Sequence, residues 1–183
     1  MALAPKTSTD QPGLLYEAHD YKRLGQVANA VLLMTYEWGY TAGPPMAVAP
    51  LNKVREVTTY AATQISPAKI FMGIPNYGYN WTLPFVAGES RAKSLSNVAA
   101  PELAAQVNAS IFFDPVAVSP HFSYQDADGR QHEVWFEDVR SIDAKLQLAS
   151  SSGFRGVSYW NIMRPFTQNW MALNALYVIR KVL

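Results

Sequence analysis

The 183-residue sequence contains no cysteine, so it can form neither a disulfide nor a thiolate zinc site. Its three histidines, His19, His121 and His132, lie far apart along the chain, and no metal site is expected. Charge of one sign is equally lacking. Fifteen Lys and Arg stand against 14 Asp and Glu, for a net charge of +1, with no long run of either sign. Neither a nucleic-acid groove nor an anionic membrane surface is indicated. No apolar run approaches the roughly 18 residues of a membrane span, and Met1-Ala2-Leu3-Ala4-Pro5-Lys6 lacks the charged-then-apolar order of a signal peptide. An export signal, if the natural protein has one, is expected outside these residues. The missing cysteines fit the cytoplasm, a spore interior or export equally well, so they do not decide the compartment.

What the chain does hold is apolar and aromatic. Hydrophobic residues make up 49% of it, enough for a sizeable core, and aromatics 13%, with five Trp and ten Tyr among few charges. That balance leans toward neutral ligands bound by stacking and hydrogen bonds, such as carbohydrates. Two segments repeat one design. Gly156-Val157-Ser158-Tyr159-Trp160-Asn161 reads as a short buried strand ending in tryptophan and breaking into a loop. Val31-Leu32-Leu33-Met34-Thr35-Tyr36-Glu37-Trp38 runs from apolar residues to a tyrosine, a carboxylate and another tryptophan. In parallel α/β folds ligands bind at the carboxyl ends of strands, so two such endings predict one shared site.

The unalternating apolar run from Ala30 to Tyr36 suits a strand covered on both faces. Pro50 is expected to open a helix of about 14 residues, in which Leu51, Val54, Val57 and Ala61 recur at helical spacing. Lys69 to Pro75 is another short buried strand, so strand, helix and strand form a parallel crossover unit. After Pro75 the pattern changes. Asn76-Tyr77-Gly78-Tyr79-Asn80-Trp81 reads as turn-rich, Asn97 to Val107 as a short helix, and Asp128-Gly129 as the turn of a hairpin between Phe122–Gln125 and Glu133–Phe136. Asp138 then caps a helix through Leu148 and Ala149, with Gly153 past its end, before the strand at Gly156 and a final helix from about Phe166 to Val182. The divisions expected are barrel units at 1–75, an α+β insertion lobe at 76–137 and the last barrel units at 138–183. With a strand remnant at Leu3-Ala4, about four βα units are present where a closed barrel needs eight.

The chain resembles the C-terminal half of a glycoside hydrolase family 18 catalytic domain, the chitinase-like (β/α)8 barrels. Within that family it is similar to the bacterial branch that includes spore cortex-lytic N-acetylglucosaminidases. The residues that carry the resemblance are Leu3-Ala4-Pro5-Lys6 and Leu15-Tyr16-Glu17-Ala18-His19-Asp20-Tyr21 at the fifth strand, and Met34-Thr35-Tyr36-Glu37-Trp38 with Gly43 to Pro50 at the sixth. It continues through Gly73-Ile74-Pro75-Asn76-Tyr77-Gly78 at the seventh, and Gly156 to Trp160 with Pro165 to Trp170 at the eighth. The implied fold class is α/β: half of a (β/α)8 TIM barrel, about strands 5 to 8, with a small α+β insertion after the seventh strand.

The implied chemistry is retaining, substrate-assisted hydrolysis of β-1,4-linked N-acetylglucosamine-containing glycans, peptidoglycan or chitin-like, without cofactor. In such enzymes the substrate's own acetamido oxygen attacks and one carboxylic acid protonates the leaving group. The resemblance assigns Tyr36 to positioning the acetamide. Glu37 stands where most of the family has Asp, either contacting substrate or pairing with a nearby basic residue. Trp160 matches the tryptophan beneath the sugar whose bond breaks. Trp38, Asn76, Tyr77, Tyr79 and Asn161 are further candidates for substrate binding, while Arg164 and Asn169 are expected to organise the last loop.

One departure is decisive for activity. The Asp-x-x-Asp-x-Asp-x-Glu run that supplies the family's proton donor occurs nowhere in these residues, and its place would be just upstream of Met1. General acid catalysis contributes about two to four orders of magnitude, so the isolated chain is expected to be inactive or nearly so. A carbohydrate-binding, lectin-like protein without catalysis is the alternative reading, and a structural half-barrel pairing with a copy of itself a third. Open barrel edges predict a homodimer or higher assembly. Localisation to a bacterial envelope, spore or extracellular space is implied by the resemblance alone.

Overall fold

The computed structural model describes residues 1–179. Two sheets organise it. The first is parallel, in the order β1-β2-β3-β9, built from β1 (Ala2–Leu3), β2 (Val31–Leu33), β3 (Ile70–Pro75) and β9 (Gly156–Trp160). The second is antiparallel, in the order β5-β4-β8-β7-β6, from β4 (Gly78–Thr82), β5 (Lys93–Leu95), β6 (Phe112–Asp114), β7 (Ser119–Gln125) and β8 (Gln131–Trp135). It is inserted between β3 and the last helix–strand unit. The parallel strands with their crossover helices form part of a (β/α)8 barrel, and the insertion is the expected α+β lobe.

Helix α1 (Tyr21–Val27) is short, and no apolar periodicity announced it; Asp20 caps it by accepting the Arg23 N–H at 3.0 Å. Helix α2 (Leu51–Gln64) buries Leu51, Val54, Val57 and Ala61, the stripe read from the sequence. Pro50 precedes its first turn as the cap, one position earlier than expected. Helix α3 (Ala99–Gln106) belongs to the lobe. Helix α4 (Val139–Ser151) opens with a reciprocal capping box between Asp138 and Ser141, and Gly153 beyond its end takes the left-handed φ of +66° that glycine permits. Helix α5 (Thr167–Leu176) is shorter than expected because Tyr177 returns to extended backbone; the rest of the expected helix, from residue 180 on, lies outside the described residues.

Three strand readings are corrected by the fold. The run from Ala30 to Tyr36 is strand only over Val31–Leu33, because β1 and β3 offer ladder partners no further than Leu33. The segment from Gly78 to Trp81 is not a turn but strand β4, with Tyr79 opposite Trp135 and Ser94; pairing across the lobe overrides its Asn- and Gly-rich local preference. Strand β9 is not buried. It pairs only with β3, so its residues are half-exposed and Trp160 is 56% exposed.

Behind the parallel sheet lies one core, in which Leu33, Val54, Ile70, Met72, Ile74, Ile142 and Leu146 are fully covered. The lobe has its own, where Phe122, Val134 and Phe136 pack on Ala100 and Ala104 of α3. A buried ion pair joins the two. Glu137, leaving β8, accepts from Lys145 Nζ of α4 at 2.8 Å and from Ser141 Oγ at 2.5 Å, with both charged side chains essentially without exposure. Burial pushes the Glu137 carboxyl above its ordinary range, and the lysine opposes that shift.

Candidate functional site

The carboxyl ends of β2, β3 and β9 point toward one side of the parallel sheet, and the chain immediately after each carries the candidate residues. After β2, Thr35 is buried and donates to the Gly73 carbonyl at 2.7 Å, tying this ending to β3. Gly73 must lack a side chain: a Cβ there would stand 2.5 Å from the Leu33 carbonyl oxygen and 2.7 Å from the Tyr36 ring. The glycine thus makes room for Tyr36. Glu37 follows with a φ of +68°, a left-handed conformation uncommon for a residue with a side chain.

Among the described residues Glu37 pairs with no basic residue. Its Oε1 accepts hydrogen bonds from the phenols of Tyr77 and Tyr79, the latter at 3.1 Å. Burial, reinforced by the Glu37 charge, pushes the Tyr77 phenol far above its usual range and Tyr79 to about 12. Both phenols therefore stay protonated and donating at neutral pH. The two rings meet edge to face at 5.6 Å, and Tyr79 meets Trp81 in the same way at 5.6 Å. Trp81 is buried, its Nε1 donating to the Gly43 carbonyl at 2.8 Å. This aromatic ladder fastens the lobe to the loop after β2 and aims the Glu37 carboxylate.

Glu37, Tyr77, Tyr79, Trp160 and Asn161 line one cleft of about 320 Å³. Ser94 and Arg164 complete it, bonded to each other at 3.0 Å. Ser94 had no signal in the sequence, because only the pairing of β5 with β4 brings it to the cleft. Tyr36 and Trp38 line a second hollow of about 190 Å³ with Pro5, Leu15, Tyr16 and Met34; Glu37 lines both. The expected convergence of Tyr36 and Trp160 in a single cleft is thus replaced by two adjoining hollows with Glu37 between them. Burial, then the Glu37 charge, raises the Tyr36 phenol, and its hydroxyl has no hydrogen-bond partner among the described residues. Trp38 is half-buried and packs partly on the core, its backbone N–H donating to the Val48 carbonyl at 3.0 Å.

Asn76 is placed differently from the sugar-facing position expected for it. It is 1% exposed, and its Nδ2 donates to the carbonyls of Asn161 at 2.9 Å and Arg164 at 2.8 Å. Its work is to hold the loop after β9 from beneath. Asn169, expected to organise the last loop, instead bonds from α5 to the strand, its Oδ1 accepting the Tyr159 hydroxyl of β9 at 2.8 Å. Arg164 serves the loop through its carbonyl while its guanidinium reaches the cleft. The Asn161 side chain accepts the Met163 N–H at 3.0 Å and so shapes the loop it stands in. Among the described residues no cluster of three or more potential ligands could hold a metal ion, and no helix is long and apolar enough to cross a membrane.

Comparison with known proteins places this architecture. The chain is 51% identical over 180 residues to a cortical fragment-lytic enzyme of Bacillus subtilis, covering 98% of this chain and 42% of that protein. Its fold superposes on the crystal structure of the Bacillus cereus spore cortex-lytic enzyme SleL with a TM-score of 0.96 at 50% identity, over 98% of this chain and 42% of the other. A chitinase from Chromobacterium violaceum gives 0.89 at 27% identity, over 98% and 55%. The chain spans about 42% of the length of the cortical fragment-lytic relatives it matches. The family described as glycosyl hydrolases family 18 matches residues 2–164, and the chain belongs to that family.

Proposed function

We propose that this chain forms the sugar-holding part of a glycoside hydrolase that cleaves N-acetylglucosamine-containing cell-wall glycans with retention of configuration. One observation carries the reading: the exposed indole of Trp160 shares a cleft with a carboxylate fixed by two protonated phenols. An indole face supports a pyranose ring, and a carboxylate accepts from its hydroxyls or from an amide N–H. Cortex-lytic relatives, about half identical over the part this chain matches, favour peptidoglycan over chitin as the substrate.

In this reading the acetamido carbonyl oxygen of the bound sugar attacks its own anomeric carbon. The Tyr36 hydroxyl, otherwise without a partner, donates to that oxygen or steadies the resulting oxazolinium ion. Among the described residues Glu37 is the one carboxylate lining the cleft, and it is engaged as the acceptor of the Tyr77 and Tyr79 phenols. It therefore cannot protonate the leaving oxygen, and these residues alone bind sugar without turning it over. The lectin-like alternative rests on the same inability.

Joining the chain to a segment that carries Asp-x-x-Asp-x-Asp-x-Glu tests the proposal. Hydrolysis of N-acetylglucosamine oligomers, with the β-anomer appearing first by NMR, is the expected result. Tyr36→Phe should cost about 1 to 3 kcal/mol of transition-state stabilisation in kcat, the scale of a lost oriented hydrogen bond. Sugar binding without any hydrolysis in the joined protein would favour the lectin-like reading instead.

A further inference from the structure

The cleft beside Trp160 contains a cation that no acid of the described residues answers. Arg164, half-buried in the loop after β9, lines this cleft of about 320 Å³ together with Glu37, Ser94 and Trp160. Its position is set from two sides. Asn76 Nδ2 donates to the Arg164 carbonyl at 2.8 Å, and Ser94 Oγ on β5 of the lobe accepts from Arg164 Nη1 at 3.0 Å. The serine is a neutral acceptor, and it leaves the other guanidinium N–H groups without a protein acceptor among the described residues. Arg164 forms no ion pair there, although the Glu37 carboxylate lines the same cleft. Its charge is nevertheless felt across the space: burial raises the Tyr79 phenol, the Glu37 charge adds to the rise, and the Arg164 charge opposes it.

A guanidinium held in place offers planar, forked donors, which fit the oxygens of a carboxyl group or its amide better than the scattered hydroxyls of a plain sugar. A free anion is disfavoured, because the Glu37 carboxylate looks into the same space. The acid must therefore arrive tethered to a group that the cleft holds by other means, and the exposed Trp160 indole supplies a surface for a sugar ring. We infer that Arg164 receives a carboxyl-derived oxygen from an acid substituent on the bound amino sugar, and so makes the cleft prefer an acid-substituted N-acetylhexosamine to an unsubstituted one. A free acid and a peptide-linked one share the planar carbonyl oxygen that Arg164 would meet. This preference rests on the reading of the cleft as a sugar site, and it assigns to one side chain the choice between acid-bearing cell-wall glycans and chitin-like ones.

The test compares three disaccharides on the chain by tryptophan fluorescence: N-acetylglucosamine linked to N-acetylmuramic acid, the same compound with its carboxyl converted to an amide, and the N-acetylglucosamine disaccharide, which lacks the substituent. The acid-bearing disaccharide is expected to bind about tenfold tighter, or more, than the unsubstituted one, the scale of a charge-assisted hydrogen bond. Retention of that preference by the amide places a peptide-linked acyl group at Arg164; its loss places a free acid there. Arg164→Gln keeps the backbone carbonyl that Asn76 holds, and should bring the acid-bearing and unsubstituted disaccharides within about twofold of each other. Arg164→Lys retains the charge without the fork and should retain only part of the preference. Equal affinity for those two disaccharides in the unaltered chain, or a preference that survives Arg164→Gln, would overturn the inference and leave the sugar reading standing. Binding of neither disaccharide strikes the sugar reading and this preference together.

Discussion

In the antiparallel lobe, Phe122 and Val134 are completely buried between the hairpin and α3, whereas β9 of the parallel sheet leaves every residue half-exposed or more. The parallel strands are the more apolar set, so composition does not account for their exposure; their partners do. A hairpin brings its partner strand with it in sequence, and α3 (Ala99–Gln106), which precedes it in the chain, closes the face. A parallel strand obtains its neighbours only through crossovers, and β1 and β9 each have one neighbour among the described residues. The lobe is therefore complete in itself, while the barrel segment holds surface that needs covering: Phe71, Val157, Tyr159, Trp170 and Leu173 surround a hollow of about 820 Å³ beside β9.

Covering that surface gives the largest effect expected from the contrast. At ~25 cal/mol per Å², hiding 200 to 400 Å² of it would stabilise the segment by about 5 to 10 kcal/mol, comparable with the whole stability of a domain. The chain alone in solution is expected to associate through its open edge, and light scattering checks it; a folded 20.3 kDa monomer over a wide concentration range would break the contrast. The next effect lies at the weld between the regions. Lys145→Met strands the Glu137 carboxylate and should cost about 3 to 5 kcal/mol in a denaturant titration, with Glu137→Gln added recovering most of it. One shifted transition would mean that lobe and barrel segment unfold together; two would mean that they are separable.

Tyr77→Phe removes a hydrogen bond to the Glu37 carboxylate and should cost about 1.5 to 3 kcal/mol, together with a looser Glu37 visible as weaker sugar binding by tryptophan fluorescence. The smallest effect is alkaline. Tyr79 is raised in the fold from 10.0 to about 12, so its contribution to stability is present below pH 10 and is lost as pH rises toward about 12. Denaturation midpoints should stay level up to about pH 10 and then fall, and Tyr79→Phe should flatten part of that fall.

Residues whose neighbours are close in sequence could be read directly. The buried stripe of α2, the Asp138 cap, the Gly153 stop and the Asp128-Gly129 hairpin all follow from i+3 and i+4 spacing or from turn chemistry, and each is found in the structure. The strand-end aromatics were readable too, because β2, β3 and β9 run parallel and so bring their carboxyl ends to one side. What lay beyond the sequence was the partner of each polar group. Glu37 could have met a cation, and only the pairing of β4 beside the loop after β2 gives it Tyr77 and Tyr79 instead. Asn76 has the chemistry of a sugar ligand, yet it faces two loop carbonyls and is withdrawn from solvent. Strand β9 has the apolar content of a core strand, and its exposure depends on whether a second neighbour is present. Local spacing fixed α2, α4 and the hairpin turn and the side on which the site lies; long-range packing decided where β2 ends, that β4 is a strand, which side chains reach the cleft and which hold it in shape.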